Sequence, residues 1–311
     1  MTARLDGLQV GRAVAALAVV AHHANLAAAT FAGRSFPLLE DGWAGVDFFF
    51  VLSGFIIAYS APGKVPTQFL WHRFRRVFLP YLPIGIGMAL VYTAMPAVSL
   101  GDRSWSWIST LTLAPINPSP ALSVAWTLQH EFLFYLLFGA AFALGRTREM
   151  LIVWTIAIGV AAAMHLDWLS LRPINLEFVF GVLTYDAWRH KRSPSPLLAL
   201  LPLALWLALG ATRETSVLFG ASVAVALPLL LIPVRWPGWA RYLGNASFSL
   251  YLAHGIAISL AARFLPSLPL LVIAGVAGGL AYFHGVERPL LSRIPKNLGL
   301  SRLRRDQAVR S

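Results

Sequence analysis

Apolar stretches recur along the whole chain and are separated by short polar breaks. The breaks carry turn-forming or charged residues, as at 61–64 and 191–194. A helix needs about 17–25 residues to cross a hydrocarbon layer of about 30 Å, and most of the stretches approach that length. Ten candidate spans follow from this pattern: 10–30, 43–60, 78–96, 124–145, 150–166, 174–188, 196–210, 215–234, 243–265 and 268–286.

The pattern predicts an all-α membrane protein, a bundle of about ten transmembrane helices. We expect residues 1–290 to form a single polytopic membrane domain and residues 291–311 to form a short basic cytoplasmic tail. The composition agrees, because 58% of the 311 residues are hydrophobic and only 12% are charged, whereas about 25% are charged in an average soluble domain.

The net charge of +12 could indicate nucleic-acid binding, so the distribution of the basic residues decides its meaning. With both termini on the cytoplasmic side, 20 of the 25 Lys and Arg residues fall inside and 5 fall outside. The outer ones are Arg34, Arg103, Arg172, Arg213 and Arg263. This asymmetry is typical of a multi-pass membrane protein, so the expected partner is a lipid bilayer and not a nucleic acid.

The first apolar stretch has a second interpretation as a secretory signal, since Ala27-Ala28-Ala29 could serve as a cleavage site. Two adjacent histidines, His22 and His23, lie in the middle of the stretch and argue against that interpretation, because the core of a signal peptide is apolar. We therefore expect the stretch to be the first span.

The chain contains no cysteine, which excludes disulfides, thiolate catalysis and cysteine-based metal sites, and we expect no metal. Candidate chemistry therefore rests on ionisable groups inside the spans, which are costly there and tend to mark functional sites.

In the first span Arg12 and His23 are eleven residues apart, so they share one helix face at a separation of about 16 Å. His22 points about 100° away and cannot serve the same role. His23 is either a polar core residue that bridges helices or part of a site.

A polar stripe follows one face of the fourth span. Thr127, Glu131 and Tyr135 lie at positions i, i+4 and i+8. A carboxylate in this environment needs a partner, and an intramembrane His or Arg is the obvious candidate. The predicted topology places His23 beyond the midplane and Glu131 in the outer half of its span, so these two side chains can meet.

Two further groups are open to two readings each. Ser247, Tyr251 and His254 line one face of the ninth span, either as interhelical hydrogen-bond partners or as part of the site. The segment 72–76, His-Arg-Phe-Arg-Arg, opens the third span at the predicted cytoplasmic face. It is either ordinary topogenic charge that contacts lipid headgroups or a phosphate-binding site, since guanidinium groups bind phosphates in a bidentate manner.

At these residues the sequence resembles the acyltransferase 3 family of integral membrane O-acyltransferases, and in particular its exopolysaccharide-acetylating branch. The resemblance covers nearly the whole chain, and the matching blocks occur in the family's order on the predicted spans. Pro80 lies four residues after Arg76, where the family usually has a proline three residues after. The blocks are 5–12 with the Arg12…His23 pair, 45–55 with its Ser-Gly, the Arg73…Arg76 pair, the Trp-Thr-Leu…Glu…Phe-Tyr segment at 126–135, Asn-Leu-Glu-Phe at 175–178, 243–254 and Glu-Arg-Pro at 287–289.

The resemblance implies ten transmembrane helices in a bacterial inner membrane, an acyl-coenzyme A donor from the cytoplasm and a carbohydrate hydroxyl as acceptor, with no permanently bound cofactor. Acetyl is the acyl group favoured by its frequency in the family. Arg73 and Arg76 would hold the phosphates of the donor, and its pantetheine arm would pass Arg12. His23 would act as general base on the acceptor hydroxyl, and Glu131 would orient its imidazole.

The remaining candidates have structural alternatives. Ser53 is either a transient acyl carrier or, with Gly54, a small contact that permits close helix packing. Trp126 is either a packing aromatic or a contact to the acceptor sugar, and the buried-acid candidates at 47, 177 and 287 could pair between helices. The residues predicted to contact substrate are Trp126, Tyr135, Glu177, His254, Asp47 and Ser53.

Two other functions remain open. Intramembrane His, Glu and Arg residues also build the pathways of transporters and flippases, although no repeated halves are visible here. The chain could also be a noncatalytic subunit of a polysaccharide-export complex, and polysaccharide assembly proteins are potential partners in either case. Transfer of label from acetyl-coenzyme A to glycan would distinguish an enzyme from both.

Overall fold

The computed structural model describes residues 6–96 and 104–295. Over these residues the chain is helical and contains no strand. Most of the predicted basic tail, 296–311, lies outside the described residues, as do Arg4 and Arg103. The cytoplasmic location of both termini therefore stays a prediction.

Twelve α-helices form the described part of the chain, with short 3₁₀ segments at several of their ends. In chain order they are α1 (Asp6–Ala32), α2 (Gly45–Ser60), α3 (Pro66–Ala94), α4 (Trp107–Thr112), α5 (Trp126–Ala143), α6 (Thr147–Ala163), α7 (Leu176–Arg189), α8 (Leu200–Ala208), α9 (Ser216–Ala226), α10 (Gly238–Ala262), α11 (Leu268–Tyr282) and α12 (Arg288–Arg293).

Each of the ten predicted spans contains a helix, and the all-α membrane class agrees with the structure. By length and composition, four helical segments of the described residues could cross a membrane: Asp6–Ala32, Pro37–Ser60, Pro66–Ala94 and Leu268–Arg293. Pro196–Ala208 and Ser216–Leu231 are apolar but shorter. The count of ten transmembrane helices remains a prediction.

One predicted helix start was wrong, and one helix was missed. The third span was expected to begin at residue 78, but α3 begins at Pro66, so the basic segment 72–76 lies inside the helix. Hydropathy marks only the apolar part of a helix, whereas Pro66 at the first turn favours helix initiation well before it. Helix α4 was not predicted at all. Its N-cap Ser106 accepts a hydrogen bond from the Ile108 amide, and the helix is too short to register as an apolar span.

Close backbone contacts fix how the helices pack. Helix α1 packs along α10, α10 along α11, and α2 along α7. A Cβ atom added to Gly54 would lie 2.1 Å from the Phe178 carbonyl oxygen, and one added to Gly181 would lie 2.0 Å from the Val51 carbonyl oxygen. The prediction that Gly54 permits close helix packing is therefore confirmed, and the contact holds α2 directly against α7.

An aromatic cluster joins α2, α5 and α7 behind the polar stripe of α5. The Phe178 ring stacks on Phe50 and Phe134, with centroid distances of 4.5 and 4.7 Å. All three side chains are at least 97% buried. Such packing fixes the rotation of α5, so that its polar face is directed away from this cluster.

Candidate active site

Two neighbouring cavities contain most of the predicted site residues. The larger has a volume of about 510 Å³ and the smaller about 130 Å³. Val46 and Tyr251 line both of them, so the cavities meet at these two side chains. The predicted residues around the larger cavity are Arg12, Ser53, Arg73, Arg76, Glu131 and Tyr135. Those around the smaller cavity are His23 and Trp126.

Arg73 and Arg76 lie in the N-terminal half of α3, and each of them is held by a partner. The Arg73 guanidinium donates to the Ser60 hydroxyl and lies 5.6 Å from the centre of the Phe69 ring. Arg76 forms a salt bridge of 3.1 Å with Glu287, and its side chain is 39% exposed. Both guanidinium groups thus keep donors available toward the cavity, since each has five N–H groups.

Glu287 belongs to a π-helical turn, Phe283–Glu287, at the end of α11. Its second carboxylate oxygen accepts a hydrogen bond of 2.6 Å from Ser249, and the residue is almost fully buried. The sequence-based prediction of interhelical pairing is confirmed for this acid. Arg75 has a different role, because it donates to the carbonyl groups of Leu291 and Ile294 and so anchors α12 to α3.

Arg12 and His23 lie on one face of α1, as their spacing predicted, and this face meets α10. Arg12 Nε donates to Ser247 Oγ at 3.0 Å, and the His23 ring lies 4.8 Å from the His254 ring in an edge-on arrangement. His22 points elsewhere, and its Nδ1 lies 3.3 Å from the Leu39 carbonyl oxygen. The prediction that the two adjacent histidines point in different directions is therefore confirmed, and their roles stay a prediction.

The predicted pairing of Glu131 with His23 was wrong. Glu131 Oε1 instead accepts a hydrogen bond of 2.7 Å from Ser53 and another from the Tyr135 hydroxyl. These partners lie on the wall of the larger cavity, whereas His23 lines the smaller one. The topology argument placed both residues at a similar depth but could not show that they belong to different cavities.

The backbone fixes which nitrogen of His23 is free. His23 Nδ1 lies 2.9 Å from the Val19 carbonyl oxygen, and a carbonyl can only accept a hydrogen bond. Nδ1 therefore carries the hydrogen in the neutral ring, and Nε2 keeps its lone pair. His254 has the same arrangement, since its Nδ1 lies 2.9 Å from the Leu250 carbonyl oxygen and its buried Nε2 has no hydrogen-bond partner among the described residues.

Tyr251 forms the boundary between the cavities. Its hydroxyl lies 2.8 Å from Thr127 Oγ1 and donates to the Val124 carbonyl oxygen at 3.0 Å. The side chain is buried, and its ring lies 6.2 Å from Phe49 and 6.0 Å from His254. The sequence left the role of this residue open, and the structure places it where a group in the larger cavity would meet a group in the smaller one.

Three residues predicted to contact substrate line neither cavity. His254 is fully buried behind the His23 ring. The carboxyl groups of Asp47 and Glu177 interact with each other, are also fully buried, and have no salt-bridge partner among the described residues. The two acids lie where α2 packs on α7 and line neither cavity, and their contact with substrate stays a prediction.

Sequence reasoning missed two contributors to the smaller cavity, Trp43 and Arg213. The Arg213 guanidinium carbon lies 4.9 Å from the centre of the Trp43 ring and 5.5 Å from that of Trp126. Arg213 was counted only as one of five basic residues predicted on the outer side. Trp43 lies just before the second motif block and carried no signal of its own.

Comparisons with known proteins identify the family of this chain. The family described as "Acyltransferase domain" matches residues 5–283. The chain is 30% identical to the exopolysaccharide production protein ExoZ of Rhizobium meliloti (strain 1021) over 288 residues, which is 81% of this chain and 90% of that protein. It is 26% identical to acyltransferase MdmB of Streptomyces mycarofaciens over 315 residues, 80% of this chain and 81% of that protein. No solved structure matches the chain.

Proposed function

The chain belongs to the acyltransferase domain family, and from that premise we propose that it transfers an acyl group, acetyl in the simplest case, from acyl-coenzyme A to a glycan hydroxyl. Its activity as an O-acyltransferase follows from the family, and the donor, the acceptor and the sides of the membrane are the proposal. A relative named for exopolysaccharide production supports a polysaccharide or glycolipid precursor as acceptor. We place the protein in the bacterial inner membrane as a multi-pass protein.

The observation that carries the proposal is the meeting of two chemically different cavities at Tyr251. One contains arginines and is suited to an anionic donor, and the other contains a histidine with a free nitrogen. A transferase must bring two substrates together at one point while binding each by its own chemistry. The arrangement fits a donor in the larger cavity and an acceptor in the smaller one.

Arg73 and Arg76 would bind the phosphates of coenzyme A at the predicted cytoplasmic end of the larger cavity. Guanidinium groups suit phosphate because their planar donors match its oxygens. Ser60 and Glu287 hold the two side chains in place before the donor arrives. Arg12, on α1, lines the same cavity and would contact the pantetheine arm of the donor.

His23 would act as general base. Its Nε2 would take the proton of the acceptor hydroxyl while the hydroxyl oxygen forms a bond to the thioester carbonyl carbon. The carbon–sulfur bond then breaks, and the coenzyme A thiolate takes up the proton that His23 accepted. His254 supports the ring of His23 from behind, whereas Glu131 would organise the donor cavity through Ser53 and Tyr135.

Membranes that contain the protein, incubated with [14C]acetyl-coenzyme A and host glycan, test this function. We expect label to enter the glycan, and His23→Ala to lower the rate by about 10²–10⁴-fold, the usual contribution of a general base. Added imidazole should partly restore the rate in this variant. His190→Ala is the matched control, since His190 is half exposed and pairs only with its neighbour Asp186.

Two results would contradict the proposal. An unchanged rate in His23→Ala contradicts the general base, and an absence of label in the glycan contradicts the substrate assignment. Glycan movement across vesicles without label transfer would support the transporter alternative. If label transfer required additional assembly proteins, the chain would instead act as a subunit of a larger complex.

A further inference from the structure

The guanidinium group of Arg213 contacts two tryptophan rings at the smaller cavity. It lies 4.9 Å from the centre of the Trp43 ring and 5.5 Å from that of Trp126. Both tryptophans and Arg213 line the cavity that contains His23. Because cation–π contacts engage the faces of a guanidinium, they orient the group and leave the N–H donors at its edges free.

Arg213 differs from the other arginines that line the two cavities. Arg12, Arg73, Arg75 and Arg76 each donate a hydrogen bond to a side chain or a carbonyl group. Within the described part of the chain, Arg213 has neither a hydrogen-bond partner nor a salt bridge. The residue is exposed and lines the smaller cavity, so its five N–H donors are accessible to a ligand.

The acidic side chains near Arg213 do not form salt bridges with it in the described part of the chain. Glu40 accepts a hydrogen bond of 2.9 Å from Ser35, and Asp47 interacts with Glu177 in the interior. Glu214 follows Arg213 directly but is fully exposed and interacts with Thr212. None of these carboxylates forms a salt bridge with Arg213 among the described residues. A cation without a salt-bridge partner among the described residues therefore lines the histidine cavity.

We propose that Arg213 binds an anionic group, a carboxylate or a phosphate, of the acceptor glycan while an acceptor hydroxyl lies at His23. Both side chains line one cavity of about 130 Å³, so a ligand bound in this cavity can contact both of them. Bidentate pairing suits either anion. The inference rests on the proposed function only in taking the smaller cavity as the acceptor site, and it narrows the acceptor to an acidic glycan or a phosphorylated precursor.

Ligand titrations by saturation-transfer NMR on the purified protein in lipid nanodiscs test the inference without an acyl donor. The probes are methyl glucuronide, its neutral methyl ester and methyl glucose 6-phosphate. We expect at least one anionic probe to bind about tenfold more tightly than the ester, as a charge-assisted bidentate pair would. Preference for the glucuronide indicates an acidic sugar, and preference for the phosphate indicates a phosphorylated precursor.

The variant Arg213→Gln should bind the three probes equally, and Arg213→Lys should keep part of the preference. The matched control is Arg263→Gln, which removes another exposed arginine that is predicted on the same side and lines neither cavity. Equal binding of all probes by the unaltered protein overturns the inference, as does a preference that survives in Arg213→Gln.

The anion-binding test of Arg213 and the label-transfer test of the proposed function can fail independently. Anion preference that depends on Arg213, without any label transfer, would support the binding site and contradict the transferase substrates. Label transfer with no anion preference would support the transferase and contradict the binding site. The comparison among probes in the unaltered protein remains decisive even if Arg213→Gln does not fold.

Discussion

At the scale of single residues, the hydrogen bond between Ser53 and Glu131 decides between two roles for the serine. A nucleophilic serine needs a base that accepts its proton, and Glu131 at 2.7 Å could in principle be that base. The same carboxylate oxygen also accepts a hydrogen bond from the Tyr135 hydroxyl. An oxygen that accepts two hydrogen bonds in this way is typical of a structural polar network. We therefore interpret Ser53 as a structural partner of Glu131 and not as an acyl carrier.

The first prediction concerns this pair. Ser53→Ala should lower the melting temperature, since a hydrogen bond to a charged group contributes about 1.5–3 kcal/mol, and should reduce acetyl transfer by about tenfold or less. Ser292→Ala is a suitable control, because Ser292 is exposed and bonds only to the Pro289 carbonyl group. Complete loss of transfer in a folded Ser53→Ala protein would instead identify the serine as the acyl carrier.

The second prediction concerns donor binding. Arg73→Gln should raise the KM for acetyl-coenzyme A by about tenfold or more and change kcat less, because it removes a binding interaction shared by ground state and transition state. Arg146→Gln, an exposed arginine predicted on the same side of the membrane, should leave KM unchanged. A normal KM in Arg73→Gln together with a reduced kcat would place the phosphates elsewhere.

Helix periodicity predicted correctly which residues share a face of one helix, but it did not predict which residues of different helices contact each other. The rotation of α1 correctly placed Arg12 and His23 on one face, and that face meets Ser247 and His254 of α10. The partner of Glu131 could not be predicted the same way. Contacts between helices depend on their relative rotation and lateral position, which a single helix period does not contain.

At the scale of helices, hydropathy located the apolar segments but not the helix ends. The start of α3 at Pro66 places the basic segment inside a continuous helix, so Arg73 and Arg76 project from regular backbone. The π-helical turn Phe283–Glu287 adds a second local feature that periodicity could not predict. It ends at Glu287, which meets Arg76 of α3.

The third prediction tests the contact between α2 and α7. Gly181→Ala should destabilise the protein by about 1–3 kcal/mol, since the added Cβ would lie 2.0 Å from the Val51 carbonyl oxygen and force the helices apart. Gly159→Ala is the matched control, because a Cβ there meets open space on the exposed face of α6 and should be neutral or slightly stabilising. Equal melting temperatures for the two variants in detergent would contradict the close contact.

At the scale of the whole molecule, the two cavities connect the proposed chemistry to membrane topology. The arginine cavity opens near the start of α3, which the charge distribution places on the cytoplasmic side. The histidine cavity lies beside Arg213 in the segment between α8 and α9, which the same distribution places outside. If both assignments hold, acyl transfer at Tyr251 connects a cytoplasmic donor to an acceptor on the other side.

The fourth prediction tests those sides directly. The chain has no cysteine, so a single introduced cysteine is the only thiol and gives an unambiguous label. Ser193 and Thr212 are both exposed and lie in the segments before and after α8. In intact cells a membrane-impermeant maleimide should label Thr212→Cys and should reach Ser193→Cys only after the membrane is permeabilised. Labelling of both before permeabilisation would mean that α8 does not cross the membrane, and the reverse order would place the donor cavity outside, where cytoplasmic acyl-coenzyme A could not reach it.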